Sequence, residues 1–293
     1  MEARKVIGID IGGTKVHLGV VKNGKVLEEL KLSTPSQAPK AEILGKVTEG
    51  IKQLMDAEVA GIGIGVPGLV DEKNGIVLDV QNIPSWKEVH LKKHLEDYFK
   101  KPVYVANDAN SFVAGVKIYG KGRDLENFVG VTLGTGIGTG IIIDNKLYTG
   151  AYSSAGEFGG IPYLDQTVED YCSGKFFTKK FGVSGKVLQK RAEGGDAEAL
   201  DIFNQFGHHL GNALKLMLFA LSPEAIFLGG SVCKGYSFFK EAMEESISSF
   251  PFKLVKEQLV LECSEIESAS ILGAAALFKM RSLSGKVGSK MFV

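Results

Sequence analysis

The stretches Val6-Ile-Gly-Ile-Asp-Ile-Gly-Gly-Thr-Lys15 and Phe128-Val-Gly-Val-Thr-Leu-Gly-Thr-Gly-Ile-Gly138 are versions of one another, with Asp10 falling on Thr132 and Gly12 on Gly134. Each is an apolar, β-rich run that breaks into glycine and resumes as a second apolar run, residues 16–21 in one case and 137–143 in the other. That pattern predicts a hairpin with nearly bare backbone at its tip. Glycines there let peptide N–H groups approach an anion closely, and Thr14, Lys15 and Thr135 add donors, so the pair suits a polyphosphate gripped from two sides. Two tight hairpins in a glycine-rich chain are the purely structural alternative, and the repetition favours the ligand-binding reading.

Around these hairpins the first third of the chain alternates strand and helix. Residues 5–11, 16–21 and 25–32 read as strands, with a two-residue hairpin signal at Asn23-Gly24. Residues 36–56 space Ile43, Leu44, Val47, Ile51, Leu54 and Met55 as a helix does. A buried strand over 60–66 closes at Pro67-Gly68, an amphipathic helix covers 91–99, and a short strand over 102–106 ends at Asn107-Asp108. The second hairpin starts a new sheet, which places a domain boundary near residue 113. Beyond it, helices are expected over 207–220, 240–249 and 268–279, strands over 225–228 and 259–261, and a fraying tail after Arg281. The domains are thus expected as 1–113 plus a C-terminal helix from about 272 to 293, and 114–271. The layout is that of α/β sheets covered by helices.

Composition narrows the function. A chain of 293 residues, 44% hydrophobic and 23% charged, is ordinary for a soluble globular protein of about two domains. Net charge is zero and no long basic run occurs, which speaks against nucleic acid and anionic membrane as partners. No signal pattern precedes the first strand and no apolar run approaches bilayer length, so a cytoplasmic location is expected. Cys172, Cys233 and Cys263 are isolated in sequence, without Cys-x-x-Cys spacing, and read as reduced, structural thiols.

Three motifs are set aside. Gly63-Ile-Gly-Val-Pro-Gly68 matches G-x-G-x-x-G, but Pro67 and the extended residues 69–71 replace the helix that a dinucleotide site requires. Residues 115–121 spell G-x-x-x-x-G-K, yet follow a helix and continue with Gly122 instead of Ser or Thr. His208-His209 are adjacent, so on a helix they point to different faces and suit structural roles better than a shared metal.

Residues 105–110, Val-Ala-Asn-Asp-Ala-Asn, follow a strand and open a helix, which in a parallel α/β sheet is the end facing the ligand crevice. Asp108 could accept a proton from a substrate hydroxyl while Asn107 holds its neighbours; both are equally good helix caps. Beside two phosphate-type hairpins the carboxylate base gains weight, because phosphoryl transfer needs an oriented nucleophile opposite a bound polyphosphate.

Asp-Ile-Gly-Gly-Thr-Lys at 10–15, Gly-Val-Pro-Gly at 65–68, Asn-Asp-Ala-Asn at 107–110, Leu-Gly-Thr-Gly-Ile-Gly at 133–138, Gly-Glu-Phe-Gly at 156–159 and Gly-Gly-Ser-Val at 229–232 resemble, in order, the motifs of the ROK family of sugar kinases, repressors and open reading frames. The resemblance spans nearly the whole chain. It implies the two-domain actin-like ATPase (ribonuclease H-like) fold of hexokinases, with duplicated βββαβαβα units and a cleft between domains. It further implies ATP as donor and a hexose as acceptor. By the same resemblance Asp10 places Mg2+ through water, and Gly12, Gly13, Thr14 and Lys15 form the first phosphate loop. Thr132, Gly134, Thr135 and Gly136 resemble the second loop, and Gly229 and Gly230 the adenosine contact. Asp108 resembles the general base that activates the sugar 6-hydroxyl. Gly68, Asn82, Asn107, Glu157 and Glu169 resemble the groups that hold the sugar, Glu169 through its place ahead of Tyr171-Cys172-Ser173-Gly174. A homodimer is consistent with the family.

One departure stands out. Family members usually read Gly-Glu-x-Gly-His, with the histidine on the sugar and often on zinc beside a cysteine cluster. Position 160 here is Gly and residues 161–168 contain no cysteine, so no structural zinc is expected. Glucose is the default acceptor; fructose, mannose, allose and N-acetylhexosamines are alternatives for a pocket with room near Gly160, and polyphosphate is an alternative donor. The family's repressors carry a helix-turn-helix ahead of the first motif, and nine residues before Asp10 are too few to build one, so an enzyme is expected.

Overall fold

A computed structural model describes residues 4–80, 82–151 and 153–288, with side chains through Arg281. The chain begins with β1 (Lys5–Ile11), β2 (Lys15–Lys22) and β3 (Lys25–Ser33), then α1 (Lys40–Leu54) and β4 (Val59–Val66). A small antiparallel set follows, β5 (Leu69–Asp71), β6 (Ile76–Leu78) and β7 (Glu88–Val89), before α2 (Leu91–Phe99), β8 (Val103–Asn107) and α3 (Asp108–Tyr119). Next come β9 (Phe128–Leu133), β10 (Ile137–Ile143), β11 (Lys146–Tyr148), β12 (Pro162–Tyr163) and β13 (Gln166–Thr167). Helices α4 (Val168–Cys172), α5 (Gly174–Phe181), α6 (Gly185–Glu193) and α7 (Ala197–Leu221) precede β14 (Ala225–Gly229). The chain ends with α8 (Tyr236–Ser248), α9 (Lys253–Gln258), β15 (Val260–Cys263) and α10 (Ala269–Gly288).

Two compact units result: one holds the described residues of Met1–Asp124, Lys146–Ala155 and Glu265–Val293, the other Leu125–Asn145 and Gly156–Ser264. The division falls at Asp124 and not near residue 113, because α3 runs unbroken past that position with Val113, Ala114 and Val116 buried. The tail beyond Arg281, expected to fray, continues as helix to Gly288, and residues 289–293 lie outside the described residues.

In the first unit the sheet order is β3-β2-β1-β4-β8. β1 pairs antiparallel with β2 and parallel with β4, and β4 pairs parallel with β8. The β2–β3 hairpin closes through Asn23 and Gly24 at φ of 55° and 76°, both left-handed as a type I′ turn demands. Central β1 buries Val6, Ile7, Ile9 and Ile11, so both of its faces are covered, as expected for a strand with a parallel neighbour. Ile43, Val47, Ile51 and Leu54 form the apolar stripe that α1 lays on the core.

In the second unit β10, β9, β14 and β15 lie side by side, the first pair antiparallel and the others parallel. This repeats β2-β1-β4-β8 in order and direction. Asp10 and Thr132 hold equivalent places, Asp10 opposite His17 and Gly65 and Thr132 opposite Gly138 and Gly229, although the second hairpin is one residue shorter. The duplicated hairpins are therefore equivalent parts of two equivalent sheets. Their cores differ in chemistry. The first is aliphatic around Trp86, whereas the second stacks Phe176, Phe177, Phe203, Phe206 and Phe239 among α5, α7 and α8. Helix α7 starts ten residues earlier than the apolar pattern suggests, because the Asp196 carboxylate caps it by accepting from Ala199 N at 3.0 Å.

The alanine-rich α10 packs on β1, β4 and α3, and glycine makes this possible. A Cβ on Gly63 would lie 1.8 Å from the Ala274 carbonyl oxygen, and one on Gly8 2.2 Å from that of Ile271. Gly63 of the discarded dinucleotide motif thus serves helix–sheet packing, and β5 follows where a nucleotide-binding helix would have to start.

Candidate functional site

The first unit brings its expected site residues to one sheet edge. β1, β4 and β8 are parallel, and their C-terminal ends carry Asp10, Gly68 just past Val66, and Asn107-Asp108. This is the edge at which open α/β sheets bind ligands. The hairpin tip is held shut by Gly12 N donating to Lys15 O at 2.8 Å, Thr34 Oγ1 to Gly12 O at 2.7 Å and Thr34 N to Thr14 O at 3.0 Å. Asn82 lies directly beside it, since a Cβ on Gly13 would come within 2.5 Å of the Asn82 Cβ. First-loop glycine and expected sugar ligand are thereby neighbours.

Asn107 takes the capping role at the start of α3. It occupies the N-cap of α3, its Oδ1 accepting from Ala109 N at 2.8 Å while its Nδ2 donates to Gly68 O at 3.0 Å. Asp108 is the first helical residue and is exposed, with Oδ1 accepting from Ala109 N at 2.9 Å. A carboxylate at a helix N-terminus sits in a favourable dipole field. Asp10 is mostly buried, and burial raises its pKa against the opposing effects of a Ser270 hydrogen bond and the Lys15 and His17 charges. A single desolvated carboxylate at the rim of a phosphate-type loop suits Mg2+, which takes one or two protein carboxylates and completes its shell with water and phosphate.

Two residues here escaped the sequence reading. Glu72, with 4% of its side chain exposed, accepts from Arg281 Nη2 at 2.7 Å and from Asn110 Nδ2 at 2.9 Å. Burial raises its pKa even so. The last Asn of Asn-Asp-Ala-Asn therefore braces the first turn of α3, two residues from Asp108, against β5 and α10. No local signal marks a partner 209 positions away.

The second unit builds its loop differently. Gly134 N donates to Gly136 O at 2.9 Å, and the start of α5 is tied to the same turn through Gly174 N to Gly134 O at 2.7 Å and Ser173 Oγ to Thr135 O at 3.1 Å. Thr132 Oγ1 reaches Gly138 O at 3.4 Å. Glu169 lies against this loop: its Oε2 accepts from Ile137 N at 3.2 Å, and a Cβ on Gly136 would meet that oxygen at 2.4 Å. The other oxygen, Oε1, is ion-paired with Lys175 Nζ. Partial desolvation and the neighbouring Glu169 charge both raise the pKa of Glu157, so these two carboxylates share one environment. Gly160 is exposed, and a Cβ there would meet nothing within 4 Å.

Gly230, at φ +93°, backs onto the same loop, where a Cβ would strike the Leu133 carbonyl oxygen at 2.4 Å. Past it opens a cavity of about 580 Å³ lined by Gly134, Thr135, Gly174, Phe177, Phe203 and Val232, among others. Its volume is that of a small-molecule pocket, with the second glycine loop at one end and two aromatic rings in the wall. Cys233 Sγ donates to Gly229 O at 3.2 Å and is hydrogen-bonded to Cys263, so two thiols isolated in sequence meet behind the glycine pair. His208 and His209 diverge as their adjacency requires, the first toward Ser246 Oγ at 3.1 Å and the second toward the Tyr163 hydroxyl at 3.2 Å. Among the described residues no helix is long and apolar enough to cross a membrane.

Comparison with known proteins agrees with this geometry. A model of the ROK family matches residues 6–281. The chain is 30% identical to a glucokinase of Thermotoga maritima, covering 96% of this chain and 99% of the relative. It is 26% identical to the xylose repressor of Bacillus subtilis, covering 92% of this chain and 76% of that protein. The structure of a ROK family glucokinase from Streptomyces griseus in complex with glucose and AMPPNP superposes with a TM-score of 0.79 at 29% identity, covering 93% and 98% of the two chains. The fold is the α/β, actin-like ATPase fold of such hexokinases. With the motifs, the repeated sheets and the family match in agreement over nearly its whole length, this chain belongs to the ROK family.

Proposed function

We propose that this chain transfers the γ-phosphoryl group of ATP to the 6-hydroxyl of a hexose, with glucose the first acceptor to be tried. The observation that carries the proposal is the gathering of Asp10, the Gly12–Lys15 turn, Asn82, Gly68, Asn107 and Asp108 at one edge of a parallel sheet. In this reading Asp108 accepts the proton of the attacking hydroxyl, which needs a base in hydrogen-bond reach of it. Gly68, Asn82, Asn107, Glu157 and Glu169 take the remaining hydroxyls. Gly12, Gly13, Thr14 and Lys15, and on the second unit Thr132, Gly134, Thr135 and Gly136, hold the phosphates; Gly229 and Gly230 border the adenosine. Asp10 would hold Mg2+ through water, and the bound ion would supply charge neutralisation for the transferring group. The open space at Gly160 favours a tolerant acceptor site, so fructose, mannose, allose and N-acetylhexosamines belong in the same assay, with polyphosphate as a second donor.

The test is a coupled assay of ADP release across that panel, with the product identified as the 6-phosphate. Turnover of no hexose with either donor overturns the proposal. A pH profile adds a sharper expectation. The pKa of Glu157 is raised, so on acidification the carboxylate is lost at a higher pH than the ordinary glutamate value of about 4.3. Hexose KM should therefore rise as pH falls through that raised value. In Glu157→Gln this acid limb should vanish, while KM is roughly tenfold or more higher at neutral pH. An unchanged limb removes Glu157 from the sugar site.

A further inference from the structure

We propose, resting on the kinase reading above, that Lys175 is a donor-phosphate-binding residue that waits on Glu169 and moves its positive charge to the polyphosphate when the donor enters. The first loop carries its own cation, Lys15, but residues 132–138 of the second are Thr-Leu-Gly-Thr-Gly-Ile-Gly and hold no charge. A triphosphate against that loop would meet only amides and hydroxyls from the loop itself. The tertiary structure supplies what the segment lacks. Lys175 is the second residue of α5, whose start is stitched to the loop through Gly174 and Ser173. Its side chain lines the 580 Å³ cavity together with Gly134 and Thr135.

Lys186, Lys190 and Lys234 also line that cavity, yet among the described residues Lys175 is the one of the four that is ion-paired, and its partner is a proposed sugar ligand. An ammonium has three N–H donors and Glu169 takes one of them. The pairing with Glu169 raises the Lys175 pKa, so the group stays cationic at any working pH. Transfer of the ammonium toward phosphate releases Glu169 Oε1 to accept a sugar hydroxyl, while Oε2 stays on Ile137 N. Donor and acceptor binding are then linked through one side chain, and the linkage must be reciprocal.

The experiment compares wild type, Lys175→Met and Lys175→Arg in calorimetric titrations with a non-hydrolysable ATP analogue and with AMP, each with and without glucose. For Lys175→Met, affinity for the analogue should fall about tenfold or more, that for AMP should stay unchanged, and glucose should no longer tighten analogue binding. Lys175→Arg should recover most of the loss, because charge is retained. Equal loss for AMP and the analogue, or a raised glucose KM with intact analogue affinity, overturns the proposal: the first marks a general disturbance of the pocket and the second a mere anchor for Glu169. Matching melting temperatures establish that the variants fold. Should wild type bind the analogue through Lys175 yet phosphorylate no hexose, the acceptor reading fails and this one stands.

Discussion

Asp108→Asn is expected to lower kcat by about two to four orders of magnitude while leaving nucleotide affinity within about twofold of wild type. Asparagine has the same shape, and its Oδ1 can still accept from Ala109 N as the aspartate does at 2.9 Å. The N-cap of α3 is Asn107, so the substitution takes nothing from the cap. What it removes is basicity: a carboxamide cannot take the proton from an attacking hydroxyl. Steady-state kinetics with the hexose that proves active, alongside titration with an ATP analogue, separates the two quantities. Loss of affinity with retained kcat would falsify the assignment of Asp108 as base. An Asn107→Ala variant supplies the contrast, because it removes both the cap bond to Ala109 and the tie to Gly68. It should lose about 1 kcal/mol of stability as well as activity.

Gly63→Ala should destabilise the first unit by about 3 kcal/mol or more, a fall of roughly 6–12 °C in Tm. The new Cβ would lie 1.8 Å from a carbonyl oxygen in the middle of α10, a backbone atom that cannot swing aside as a side chain tip can. Either α10 lifts from β1 and β4 or the sheet bends, and each exposes apolar surface now buried. Gly45→Ala is the matched control. That glycine lies inside α1 with nothing within 4 Å of the added atom, so the change should raise stability by about 0.4–1 kcal/mol. Differential scanning calorimetry of both variants reads the difference directly; similar melting temperatures would show that α10 does not lean on the bare face of β4.

Much of the fold was legible because it is written in local patterns. Residues 5–11 read as a strand, Asn23-Gly24 signals a two-residue hairpin, and α1 shows its stripe every three to four residues. The duplicated units that the family resemblance implies appear as two sheets of repeated strand order. Local patterns failed where a long-range contact decides. Residue 113 looked like a border because a new strand pattern begins soon after it, but burial of Val113 and Val116 keeps α3 whole within the first unit. Asn110, the last residue of the Asn-Asp-Ala-Asn motif, donates its side-chain amide to Glu72, a contact that no local pattern marks. Glu72 itself gave no signal, since its partner Arg281 belongs to the last helix.

The sequence alone determined that this chain builds two glycine-tipped hairpins of one kind and ends a strand in Asn107-Asp108. Backbone preferences and apolar periodicity are properties of short segments, and so are the motifs that mark the ROK family. Which remote groups become neighbours of those segments was decided only by tertiary structure. Asn82 comes to Gly13, Glu72 and Arg281 come to Asn110, and Lys175 and Glu169 come to a second loop that has no charge of its own. Charge and hydrogen-bond partners act across space over a few ångströms, so residues remote in the chain become neighbours only once the sheets and helices have packed.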